Sequence, residues 1–355
     1  MSLIRQVWQR YELSKLAVLL VVAGNLALSI VVNSYSAFDP AKPPGRGMSA
    51  SDPKVYLALY FGNPVEGSAR YRVVVPYLAR LVPDIPPQLM FDPKRSFDRV
   101  SLPSLKFAIV NLGFLIATCV VLYYLIRGFD LPHTQGVLGA MLFLSLQVLM
   151  IFGGTPMTEP GYFFFLALAI LAIQRQNVWL LMAATVIGVF AKEQVLLVIV
   201  LIIPTPFEWR RRIRLLAGVL PAVVLYATVR LWLAPMSQDA LVSGSFLQAV
   251  PRAIQVQFLS PFGITRLFLA FGLLWLPFIY AVVRCRVPVL LARWAWFVPV
   301  LLVMMVALGG GAAAGAYRHL AAAFPVVIPL ALIGLDAWKS CGILSCDVKS
   351  VISDM

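Results

Sequence analysis

Apolar residues fall along this chain in long uninterrupted runs, separated by short stretches rich in charge, proline and glycine. Ten runs stand out, near 16–33, 106–126, 136–153, 160–173, 178–191, 194–204, 215–234, 262–283, 294–309 and 319–335. A helix rises 1.5 Å per residue, so about 20 apolar residues cross the roughly 30 Å hydrocarbon core of a bilayer. The pattern predicts an all-α fold, a polytopic transmembrane helical bundle of about ten spans. The runs 178–191 and 194–204 are short for full crossings, and three geometries accommodate them: two tilted spans, a re-entrant pair, or one helix interrupted by Lys192 and Glu193.

Charge arbitrates among these. With ten crossings and a cytoplasmic N-terminus, the inner segments carry fourteen positive charges, among them Arg5, Arg10, Arg127, Arg175 and the cluster Arg210, Arg211, Arg212 and Arg214. The short outer segments carry five: Lys192, Arg230, Arg252, Arg266 and Arg318. That bias follows the positive-inside rule. Fusing 178–204 into one span would put either Arg175 or the Arg210 cluster outside, so ten crossings fit better. The first span, 16–33, follows Arg5, Arg10 and Lys15 without an evident small-x-small cleavage site and reads as a signal anchor. The remaining spans occupy 106–335, and 336–355 is expected to be a short cytoplasmic tail.

The intervening segment 34–105 differs from the rest. It is punctuated by the turn signals AKPPG, SDPK, GNPVEG, PDIPP and FDPK. Between them, 55–61 and 69–81 are predicted to be short amphipathic helices. The second sets Val73, Val74, Tyr77, Leu78 and Leu81 among Arg70, Arg72 and Arg80, which suits a helix lying in the headgroup layer. A solvated loop is the alternative.

Composition agrees with this picture and removes others. The chain is 61% hydrophobic and 12% charged, where a soluble domain carries about a quarter charged residues. A net charge of +14 would suggest nucleic acid in a soluble chain, but here it reflects membrane topology, and no nucleic-acid partner is expected. No GxxxxGK[ST] or GxGxxG sequence follows a strand-like run, and the four cysteines lack zinc-ligand spacing. Neither a disulfide framework nor a metal finger is expected.

Carboxylates at a membrane edge are costly and therefore mark candidate chemistry. On the predicted topology the outer face holds Asp39 and Asp52 in the first loop, Glu159 in GGTPMTEPGYFFF and Glu193 in FAKEQVLL. Glu159 or Thr158 would cap the following helix, or Glu159 would position a polar substrate. Lys192 and Glu193 form either a snorkelling pair or a site in which the lysine neutralises an anionic headgroup. Arg318 and His319, in GAYRHLAAAFP, open the last span and would contact phosphate, either generically or specifically.

Together the segments SDPKVYLALYFGNP, RYRVVVPYLARL, TEPGYFFFLALAILAI, AKEQVLLVIVLIIP and YRHLAAAFPVVIPLAL resemble, in order and sidedness, the GT-C superfamily of integral-membrane glycosyltransferases. The resemblance covers roughly 16–335. It implies a GT-C-like membrane module with an outer catalytic face, a polyprenyl-phosphate sugar as donor, and a glycan, lipid or protein as acceptor. The family's base, an acidic residue in the first outer loop, maps onto Asp52, which stands in D-x-x-x-Y spacing to Tyr56; Asp39 is the rival. The family commonly carries Asp-Asp, Asp-Glu or Asp-x-Asp there, whereas this sequence has one Asp followed by Pro53. No metal site is assigned, and a divalent cation is left open as cofactor.

Sugar transfer from a lipid phosphate needs a base for the acceptor hydroxyl and cations for the charge developing on the leaving phosphate. Asp52 is the candidate base. Arg70, Arg72, Lys192 and Arg318 are the candidate phosphate ligands, and Glu159 is the residue expected to orient hydroxyls. Two non-catalytic readings compete: a transporter or flippase for a lipid-linked sugar, and a GT-C-like scaffold without turnover. The default location is a bacterial plasma membrane.

Overall fold

The computed structural model describes residues 2–37, 51–63, 65, 68–84, 101–233, 254–308 and 316–340. Among these residues the regular elements are all helical. In chain order they are α1 (Ser2–Ala37), α2 (Ser51–Phe61), a 3-10 turn (Ser68–Tyr71), α3 (Val74–Leu81), α4 (Ser101–Arg127), α5 (His133–Leu144) and α6 (Gln147–Phe152). There follow α7 (Glu159–Gln174), α8 (Val178–Gly188), a 3-10 turn (Glu193–Leu197) leading into α9 (Val198–Ile202), and α10 (Trp209–Thr228), which ends in a π turn (Val229–Leu233). A second π turn (Gln255–Leu259) precedes α11 (Pro261–Leu269), α12 (Trp275–Arg284), α13 (Val289–Trp294), α14 (Phe297–Leu308), α15 (Ala316–Ala321) and α16 (Phe324–Ser340).

Three of these helices are long and apolar enough to cross a membrane, over Lys15–Tyr35, Pro103–Arg127 and Trp209–Leu231. A fourth span results if the pair Gly263–Leu269 and Gly272–Arg284, bent by 81°, counts as one. The other apolar runs are shorter helices or broken pairs, each with a local cause. The run 136–153 breaks where Leu146 is extended and the Ser145 hydroxyl donates to Leu142 O at 2.8 Å. The bend between α11 and α12 turns on Gly272, whose φ of +55° is left-handed, a conformation costly for residues with a Cβ. Beside it lies an apolar cleft of about 680 Å³, lined by Leu142, Leu146, Met150, Phe271, Leu274 and Trp338 among others and by no charged residue.

The core centres on α7. Tyr162, Phe163, Leu166, Ala167, Ile170 and Ile173 are buried on its different faces, and it packs on α4, α8 and α9. Phe143, Phe163 and Phe324 interlock α5, α7 and α16, with ring centroids 4.5 Å apart for Phe143 and Phe324 and 5.5 Å for Phe163 and Phe324. On the outside of the bundle, Val18, Val21, Leu220, Val224, Ile279 and Val283 are exposed, an apolar surface suited to lipid.

At the end of the bundle where α7 begins, α2 and α3 cover it. Tyr56, Leu57, Val75, Ala79, Phe107 and Met157 form a small core there, while Tyr77, Leu78 and Leu81 face outward. The helix predicted over 69–81 is two pieces, with Arg72 and Val73 outside the helical turns. The Val74 amide donates to Phe190 O at 3.2 Å, fastening α3 to the chain just past α8. Lys106 of α4 meets Asp84, at 2.6 Å, and secures the chain beyond α3.

Candidate functional site

The turn 153–158 is drawn tightly into the bundle. The Gly154 amide donates to Ser34 Oγ at 2.6 Å, and a Cβ on Gly154 would run into the backbone oxygen of Val31, so no side chain fits. The Asn111 amide of α4 donates to Thr155 O and Met157 O, at 2.9 and 3.3 Å. These bonds satisfy turn carbonyls away from water and fix where α7 starts. Thr158 makes no side-chain cap; its hydroxyl donates to Tyr56 Oη at 3.3 Å. Glu159, the first helical residue, is thereby held inside the protein.

An ion network surrounds it. Lys192 Nζ lies 3.3 Å from Glu159 Oε1, with the two side chains only 3% and 2% exposed. Arg318 Nη1 approaches the same oxygen at 3.5 Å, and its guanidinium lies 5.1 Å from the centre of the Phe152 ring. The Lys192 ammonium lies 5.3 Å from the centre of the Tyr162 ring. Next to Lys192, Glu193 accepts both arms of Arg72, Nη2 to Oε1 at 2.7 Å and Nε to Oε2 at 3.1 Å, a bidentate fork. The remaining nitrogen, Nη1, donates to Tyr56 Oη at 3.0 Å. Gln194 completes the group, its Nε2 lying 2.6 Å from His319 Nδ1.

Burial alone would raise the Glu159 carboxyl, but Lys192, Arg318 and Arg72 outweigh it and hold the group down to about 2. Glu193 follows the same logic: burial pushes it up, and the Arg72 fork brings it below the usual carboxylate range. Lys192 is lowered by burial first, with Glu159 opposing and the two guanidiniums adding to the shift. Burial raises the Tyr56 phenol in spite of Arg72. Both carboxylates are thus ionised, and among the described side chains the Lys192 amine and the Arg72 and Arg318 guanidiniums face them. Among the described residues, Glu159 Oε2, Gln194 Oε1 and the Tyr162 hydroxyl are buried without a hydrogen-bond partner. Such groups are costly to leave unmade.

Of the residues singled out from sequence, Tyr56, Arg72, Glu159, Lys192, Glu193, Arg318 and His319 come together here. Arg70 does not join them in any described contact; its guanidinium lies 5.7 Å from the centre of the Tyr71 ring. Asp52 belongs to α2, one turn before Tyr56 on the same face, and its side chain lies outside the description, as does the whole of Asp39. The surface snorkelling pair is replaced by a buried Lys192, and the expected capping role of Thr158 by its bond to Tyr56. Sequence reading passed over Gln194, Tyr162 and Asn111. Their only signal was polarity inside apolar runs. Among the described residues no three His, Cys, Asp or Glu side chains gather as a metal site.

Comparison with protein-family models, curated protein sequences and solved structures finds no match to this chain.

Proposed function

We propose that the chain is a polytopic membrane glycosyltransferase of the GT-C type, with about ten crossings and both termini in the cytoplasm of a bacterial-type cell. It moves a sugar, with inversion, from a polyprenyl-phosphate donor to an acceptor hydroxyl on the outer face. The observation that carries this reading is the network of Arg72, Lys192 and Arg318 against Glu159 and Glu193, with Lys192 and Glu159 at its buried centre. The converging donors of Arg72, Lys192 and Arg318 suit the oxygens of a phosphodiester, and the partnerless acceptors Glu159 Oε2 and Gln194 Oε1 suit the hydroxyl donors of a sugar.

In this reading Asp52 takes the acceptor proton as the new bond to the sugar's anomeric carbon forms. The bond from that carbon to the phosphate oxygen breaks, and the lipid phosphate leaves with the electron pair. Arg72, Lys192 and Arg318 stabilise that charge in a site shielded from water, where each well-placed donor is worth about 10²–10³ in rate. Tyr56 accepts bonds from Arg72 and Thr158, so its own O–H is left for a ligand oxygen. Glu159 orients sugar hydroxyls. The bilayer holds the donor's tail and supplies part of the positioning.

The test is transfer of radiolabelled sugar from a panel of polyprenyl-phosphate sugars by purified protein, with Asp52→Asn in parallel. Turnover lost in the variant supports the reading and identifies the donor. The lone Asp before Pro53 favours one second reading, a scaffold that binds lipid phosphate without turnover. Tight lipid binding by both proteins with no transfer would select it.

A further inference from the structure

Lys192, Glu193 and Gln194 send their side chains to three different elements: to Glu159 at the start of α7, to Arg72 ahead of α3, and to His319 in α15. The last of these contacts is the shortest, 2.6 Å between Gln194 Nε2 and His319 Nδ1. With the amide nitrogen rather than the amide oxygen facing the ring, the arrangement has Nδ1 as acceptor and places the imidazole proton on Nε2. Lys192, Arg318, Glu159 and Arg72 all lie near enough to act on the charge of this ring. Lys192, Arg72 and Arg318 already bring three basic groups to this end of the bundle. A neutral N–H adds a hydrogen bond to an anion there without adding a fourth repelling charge.

We infer that Gln194 holds His319 as the neutral Nε2–H tautomer, so that the ring presents an uncharged donor to an anionic phosphate oxygen bound beside Lys192 and Arg318. Gln194 is then a positioning residue that acts through His319. The tautomer rests on the Gln194 amide nitrogen, and not its oxygen, facing Nδ1, and the phosphate half rests on the function proposed above.

The chain has two histidines, His133 and His319. Labelling histidine with 15N in the full-length protein in nanodiscs therefore gives two imidazoles, assigned with His133→Phe. His133 pairs instead with the Tyr123 hydroxyl, at 2.8 Å, and serves as the internal control. His319 should show a bare Nδ1 and a protonated Nε2. Gln194→Glu, whose carboxylate only accepts, should put a proton on Nδ1 and leave His133 unchanged. A wild-type ring protonated on Nδ1 overturns the tautomer.

The donor role is tested by binding of two probes, a polyprenyl phosphate and inorganic phosphate, to His319→Gln and His319→Asn. Gln places its amide near the Nε2 position and Asn near Nδ1. His319→Asn should therefore weaken binding about tenfold, the worth of one hydrogen bond to a charged oxygen, and His319→Gln by less than about threefold. The reverse order would mean that His319 serves only as the partner of Gln194. If inorganic phosphate binds with the expected order and the polyprenyl phosphate does not, the donor role stands and the lipid-linked donor falls. Binding of neither probe by the wild-type protein overturns the donor role.

Discussion

Arg211, near the start of α10, pairs with Glu208 at 3.9 Å with the two side chains 52% and 78% exposed. Around it, Arg212 donates to Ile203 O at 3.2 Å and Arg293 to Pro204 O at 3.1 Å, so these guanidiniums satisfy the carbonyls left open where α9 ends. At the opposite end of α9, Lys192 and Glu159 are almost wholly buried, and Arg72 and Arg318 spend their donors on carboxylates. The same residue types thus close a helix end in one place and build an enclosed ion network in the other. What separates them is the acceptor: a neutral backbone carbonyl asks for one hydrogen bond, whereas a buried carboxylate requires a countercharge. Three basic side chains from separate elements converging on two carboxylates, with Lys192 and Glu159 almost wholly buried, make the α7 end the candidate site.

The contrast is open to measurement. Lys192→Met should have the largest effect, because it leaves Glu159 buried opposite Arg318 alone. Breaking such a pair costs about 3 kcal/mol or more in unfolding free energy, read by thermal unfolding in detergent, and sugar transfer should vanish with it. Acid should act through the same carboxylate. Glu159 has an ordinary value of 4.5 and is held at about 2, so its contribution to stability is present above about pH 4.5 and is lost as pH falls through 2. A Glu159→Gln protein should show a shallower loss across that window; an unchanged acid profile would mean the network does not govern it.

Arg72→Lys keeps the charge and removes the fork to Glu193 together with the bond to Tyr56, at a cost of about 2 kcal/mol in the same unfolding assay. Arg211→Ala should be the smallest change, within about 0.5 kcal/mol. If it matched Lys192→Met, exposure would not distinguish the two ends.

Much of the helical framework was legible because apolar runs and their polar punctuation are local. The predicted run 160–173 is α7 to within a residue at each end, and 106–126 lies within α4. Asking where carboxylates meet an apolar run picked out Glu159 and Glu193, and with them their cations. The breaks were not legible. Nothing local in Ser145 and Leu146, or in Arg72 and Val73, announces that a helix stops, since each break is set by what the flanking pieces pack against. Arg70 and Arg72 read alike in RYRVVV, and only the irregular backbone after Tyr71 sends one of them into the bundle. Gln194 was missed because an amide carries no charge to flag it, and its meaning depends on a histidine 125 residues away.

The brevity of α7 and α8 bears on how the protein is made. At 16 and 11 residues they rise about 24 and 16 Å, short of the roughly 30 Å of hydrocarbon. Released singly from a translocon into lipid, either would strand the polar ends of its own backbone in hydrocarbon. In the finished protein the Asn111 amide donates to carbonyls of the turn before α7, and the carbonyl of Gly188, the last residue of α8, accepts from the Ala191 and Lys192 amides, each at 2.9 Å. The ends of α7 and α8 are therefore satisfied only by their neighbours, and the two short helices depend on docking with α4 and with the chain after α8 for a place in hydrocarbon.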